Sequence, residues 1–241
     1  MALVGTAGTT DLGAIDPLAD LAERARHLDA WFHVDAAVAG AFAVSERLGD
    51  RLRGLGDADS VTVDFHKLWW QPFNASALLV RDDTSFDLLR VASSYLDRGD
   101  ELDGMINLVG RSLDTSRRFD AAKVVASLRV IGRIRFAAMI EHLVDLAEYA
   151  YRALEDHPVF APLAAPEGVS VVFDAPGYDP DVLRVVQQSL LERGEMVLGR
   201  TTLRGRSALK FTFMNPLTTY HDVDQLISGV ATEVTRGPTK S

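Results

Sequence analysis

The sequence predicts an α/β fold, on three observations. Short apolar, strand-like runs occur at 2–4, 31–37, 60–64 and 75–82. A helical pattern fills the gap between the first two, as a parallel βαβ unit requires. A second set of strand and helix patterns follows a proline- and alanine-rich stretch, PVFAPLAAPEG, after residue 157. The 241 residues, 47% hydrophobic and 24% charged, have the balance of an ordinary globular protein.

The elements follow in order. Ala2–Val4 runs into the glycine-rich turn GTAGTTDLG. IDPLADLAERARHL reads as a helix, with Asp16 as cap, Pro17 at the first position, and Leu18, Leu21, Ala22 and Ala25 on one face. WFHVDAA is the second strand, SVTVD the third and ASALLVRD the fourth, the last pair an antiparallel addition. Residues 94–110 have no period and read as a long loop, a feature associated with function or mobility. Residues 116–157 are helical, with a break or kink expected at Gly132. Phe136, Met139, Ile140, Leu143, Leu146, Ala147, Ala150 and Leu154 form one apolar stripe there. In the last part VSVVFDA is a strand, and DPDVLRVVQQSLLERG a helix bounded by Asp179, Pro180 and Gly194. SALKFTFMNP contains a further strand and HDVDQLISGVATEV a final helix.

Composition narrows the function. A net charge of −9 argues against nucleic acid or an anionic membrane as the main partner. The absence of cysteine excludes thiolate nucleophiles and cysteine-ligated metals, and it suits a reducing cytoplasm. No apolar run reaches the ~18 residues of a membrane span, and no signal peptide is visible.

Three polar clusters fall at strand ends, where open parallel sheets bind ligands: Thr9 and Thr10, Asp35, and His66 with Lys67. Lys67 stands among bulky apolar residues in DFHKLWWQP. Such shelter favours a neutral amine able to form a Schiff base. Alternatively its stem lies on the tryptophans and its head reaches water. Asp35 suits the protonated ring nitrogen of pyridoxal phosphate, or else a cap or loop hydrogen bond. His33, Asp35 and His66 could instead ligate a metal, although the set lacks a fourth partner.

Taken together, these residues resemble the group II pyridoxal-phosphate-dependent amino acid decarboxylases, which include the aromatic amino acid, glutamate and diaminobutyrate enzymes. The resemblance rests on HVDAA followed by a strand and HK, on TAGTTDLGAIDPL, ADS, SALLVRD, TSRRFDAAKVVASLRVIG and KFTFMNPLTT, in that family's order. The wording of DFHK-aromatic-aromatic-QP and TSRRFDA is most like the diaminobutyrate branch. The resemblance implies part of a fold type I large domain over 1–157 and a small C-terminal α/β domain over 158–241. It implies pyridoxal 5'-phosphate as cofactor and an L-amino acid as substrate. Lys67 would form the Schiff base and Asp35 would pair with the ring nitrogen. Ala37 would pack on the ring, His66 would lie by the phosphate or substrate, and Thr9 would touch the cofactor's edge. The segment 94–110 would close over substrate.

Two features depart from the family pattern. Several relatives carry a loop tyrosine proposed as proton donor where an ungapped reading back from RRF puts Leu108, so no donor is assigned, and the loop's own tyrosine is Tyr95. The family's Ser/Gly-rich phosphate loop and ring-stacking aromatic precede the TAGTT motif, which here stands at the start of the chain. The expectation is therefore the C-terminal portion of a decarboxylase, working as a homodimer or with a complementary chain. A non-catalytic remnant is the alternative.

Overall fold

A computed structural model describes residues 1–89, 111, 117–203 and 205–237. The expected closing loop at 94–110, with Tyr95 and Leu108, lies outside the described residues. A four-stranded sheet has the order β1 (Ala2–Thr6), β2 (Trp31–Asp35), β3 (Ser60–Asp64), β4 (Ser76–Val80). β1, β2 and β3 run parallel, and β4 is antiparallel to β3, as its position after a short loop requires.

Helix α1 (Leu18–His27) crosses from β1 to β2 and buries Leu18, Ala22 and Ala25 on one face. It lies so close that a Cβ on Gly5 would come within 3.0 Å of Leu18 Cδ2. Asp16 does not cap this helix. Pro17 is the N-cap residue and the cap has no side-chain hydrogen bond. The Asp16 carboxylate instead accepts the Thr6 N–H at 2.7 Å, satisfying an edge donor of β1. The second strand ends at Asp35, two residues earlier than expected, because the chain turns there into 3₁₀ structure at Ala39–Val44. The one-turn helix α2 (Glu46–Gly49) follows, capped by Ser45.

The long helical segment is two helices, α3 (Asp120–Ile131) and α4 (Arg133–Glu155), separated at Gly132 with φ +79°. Only a residue tolerant of positive φ serves at such a break. On α4 the expected stripe is buried, Met139 only in part, and Val144 joins it. That face packs against the 3₁₀ segment at 39–44 and against β5 (Ala161–Pro162), β6 (Ser170–Asp174) and α6 (Tyr220–Arg236).

The second sheet is antiparallel, in the order β5-β6-β8-β7, with β8 at Arg206–Thr212 and β7 at Gly199–Leu203. β7 escapes a pattern reading because GRTTL is polar and lies at the sheet's edge. Helix α5 (Pro180–Glu192) starts as expected, with the Asp179 side chain accepting the Asp181 N–H. One continuous apolar core joins residues of both sheets and α4.

Candidate active site

The parallel register puts Thr6 beside Asp35 and Asp35 beside Thr62, so β1, β2 and β3 end along one edge. The three sequence-predicted clusters therefore emerge on the same side of the sheet. β3 ends at Asp64, and the chain loops through Phe65–Ala75 before returning as β4. Lys67 lies in this loop.

The loop is fixed along its length. Phe65 and His66 N–H groups both donate to the Ala75 carbonyl, and Gln71 N–H donates to that of Phe65. His66 Nδ1 stands 2.9 Å from the same Ala75 oxygen and 3.2 Å from the Ala75 nitrogen, and the ring meets Phe73 edge-on. Trp70 Nε1 donates to the Met214 carbonyl at 2.7 Å, and its ring stacks on buried Phe136. Trp69 packs against Phe65 and Phe136.

The tryptophans thus pack on α4 rather than enclose the amine. Lys67 Nζ donates to Asp64 Oδ2 at 2.9 Å, and the Lys67 side chain is about one-third exposed. Of the two readings of Lys67, shelter among the aromatics or a head in water, neither included the ion pair with Asp64 that is found. Burial pushes the Asp64 carboxyl up, but hydrogen bonds from Lys67 and Ser76 and the charges of Lys67 and His66 outweigh it. The carboxyl ends below its ordinary value. His66 Nε2 stands 3.7 Å from the same Asp64 oxygen.

A cavity of about 270 Å³ opens beside Lys67. Thr9, Thr10, Gly13, Val38, Ser170, Lys210, Thr212 and Met214 share its wall. Thr9 Oγ1 is turned to its own loop, accepting the Ala14 N–H at 3.0 Å. Asp35, Ala37 and His66 are not part of this lining. Asp35 is exposed, and its Oδ1 accepts the Ala37 N–H at 3.0 Å, the loop hydrogen bond that was one of its two readings. The metal alternative does not assemble. His33 Nδ1 meets Ser60 Oγ at 2.8 Å and Nε2 meets Thr62 Oγ1 at 3.2 Å. No group of three or more metal-ligating side chains occurs among the described residues.

Sequence reasoning missed Lys210 and Asp11. Lys210 Nζ donates to Asp11 Oδ1 at 2.8 Å and to the Thr10 carbonyl at 3.1 Å. Thr201 Oγ1 donates to Asp11 Oδ2 at 2.7 Å. The hydrogen bond from Lys210 holds the Asp11 carboxyl below its ordinary value, against the opposing effect of burial. The available signal was a lysine set within the apolar strand ALKFTF.

A lysine on the wall of a cavity suits an aldehyde, and the Asp35 carboxylate stands on the same sheet edge, outside that lining. The family model for the pyridoxal-dependent decarboxylase conserved domain matches residues 1–175. The chain belongs to the pyridoxal-dependent decarboxylase family. That family consists of carboxy-lyases using pyridoxal 5'-phosphate, and the α/β architecture is that of part of their fold. The chain is similar to L-2,4-diaminobutyrate decarboxylase of Acinetobacter baumannii, 34% identical over 97% of this chain and 47% of the relative. It is 36% identical to that of Rhizobium meliloti (strain 1021), over 95% and 48%. Among solved structures it resembles the glutamate decarboxylase domain of a Vibrio parahaemolyticus diaminobutyrate-pyruvate transaminase and L-2,4-diaminobutyrate decarboxylase. There the TM-score is 0.83 at 34% identity, over 98% of this chain and 46% of that one. The chain spans about half the length of the curated relatives it matches.

Proposed function

We propose that this chain is the lysine-bearing part of a pyridoxal-phosphate-dependent L-amino acid decarboxylase of the diaminobutyrate type. The observation that carries this reading is the placement of Lys67 on the wall of a cavity beyond the ends of the parallel strands. When bound, the cofactor supplies an electron-accepting ring for the bond to the departing carboxylate. Lys67 would be the residue that bonds the cofactor's aldehyde carbon. Asp64 holds the Lys67 amine at the cavity until then. Asp35, on the same sheet edge, would hold a proton on the ring nitrogen. Ala37, with only a methyl group, would let a flat ring lie close, while Thr9 would meet its edge and His66 its phosphate or the substrate. Residues 1–157 are the large-domain part and 158–241 the small domain, in a cytoplasmic homodimer.

The test is to add pyridoxal phosphate, reduce with borohydride and map the labelled peptide. Label on Lys67, lost in Lys67→Ala together with the cofactor's absorbance band, is the expected result. Equal cofactor uptake by wild type and Lys67→Ala removes the assignment. Carbon dioxide release from L-2,4-diaminobutyrate then tests the substrate.

A second reading has the chain complete its site with another polypeptide. Val4, Leu78 and Leu79, on the two edge strands of the first sheet, are more than half exposed, an apolar surface suited to burial. Light scattering that returns a monomer, active without a partner, contradicts it.

A further inference from the structure

We propose that Asp11 decides which of the cavity's two lysines condenses with the cofactor's aldehyde, by keeping Lys210 out of the reaction. The proposal rests on the reading of Lys67 given above. Both lysines line the same cavity, so proximity alone does not choose between them.

Their surroundings differ. Lys210 donates to two oxygens, Asp11 Oδ1 at 2.8 Å and the Thr10 carbonyl at 3.1 Å, and its side chain is 13% exposed. Lys67 donates only to Asp64, among the described residues, and its side chain is 36% exposed. Condensation needs a nitrogen lone pair. The ammonium first gives up a proton, the nitrogen then attacks the aldehyde carbon, and water leaves as the carbon–nitrogen double bond forms. Lys210 has to abandon two fixed acceptors to do this, and Lys67 only one. Charge-assisted hydrogen bonds are about twice as strong as neutral ones. The Asp11 carboxylate cannot easily follow the amine, because Thr201 of β7 holds its other oxygen. The loop after β1 and two strands of the second sheet therefore share one purpose: they occupy the competing amine.

Borohydride trapping with peptide mapping tests this, since the chain has four lysines, Lys67, Lys123, Lys210 and Lys240. Wild type with pyridoxal phosphate is expected to carry label on Lys67 and not on Lys210. Asp11→Asn should raise the label on Lys210 by about tenfold, the factor that losing one charge-assisted hydrogen bond supplies. Thr201→Val, a milder change, should raise it less. Lys123 is the control: it is held by Asp120 and the Pro72 carbonyl and should not respond to either variant. Lys210 labelled alongside Lys67 in wild type, or unlabelled in both variants, overturns the proposal. Absence of label on Lys67 in wild type overturns the functional reading instead. Reductive methylation with formaldehyde, which needs no cofactor site, then still compares Lys210 between wild type and variants. An unchanged Lys210 there also overturns the proposal.

Discussion

Trp70 and Met214 are 144 residues apart in sequence and joined by a 2.7 Å hydrogen bond from indole to carbonyl. This bond fastens the loop bearing Lys67 to the exit of β8, and Met214 lines the cavity beside Lys67. The tryptophan thus acts as a strut between the two sheets. Trp70→Phe keeps a ring on Phe136 and removes the donor. The expected cost is about 1 kcal/mol, the usual net worth of such a bond, read as a lower urea midpoint with an unchanged slope.

Phe136 supports both tryptophans and is fully buried. Phe136→Ala removes the platform and leaves a cavity, at an expected cost of about 3–5 kcal/mol. Thermal unfolding followed by circular dichroism checks this. A loss under about 1 kcal/mol would mean that the indoles repack elsewhere.

Gly13 adopts φ +69°, and a Cβ there would lie 2.8 Å from the Gly168 backbone nitrogen. Both strain and backbone overlap oppose a side chain. Gly13→Ala should destabilise the chain by about 2 kcal/mol or more. Gly56→Ala is a control, since nothing lies within 4 Å of its added Cβ.

Asp64 gives a pH signature. Its folded carboxyl lies below the ordinary 3.8, so the unfolded chain binds its proton more readily. The pair's stabilisation is fully present above that ordinary value and is lost as pH falls through the lowered one. The stability gap between wild type and Asp64→Asn should be larger at pH 7 than in strong acid. Urea titrations across that range measure it, and a gap independent of pH would contradict the ion pair.

The legible parts of the fold are those written locally. The strands β1 to β4, the capped helix α5 and the break at Gly132 follow from period, cap and glycine position. Where a distant group competes, local reading fails. Asp16 looks like a cap, but the Thr6 N–H takes its carboxylate. β7 is polar and gains its identity only by pairing with β8. At the site, Lys67 and Thr9 were legible as residues that meet at one cavity. The ion pair with Asp64 was hidden in plain view, three positions away. Lys210 and Asp11, 199 positions apart, carry no local signal of their meeting.

Helix α4 has a thermodynamic consequence. Its buried stripe belongs to a core that reaches both sheets. Neither half can lose its packing without exposing the same leucines and alanines to water. Unfolding should therefore proceed as one cooperative transition, and amide exchange deep in β3 and in β6 should report the same free energy. A cavity walled by loops that follow the first sheet's strands and by strands of the second sheet inherits that coupling, so its shape is as durable as the whole molecule.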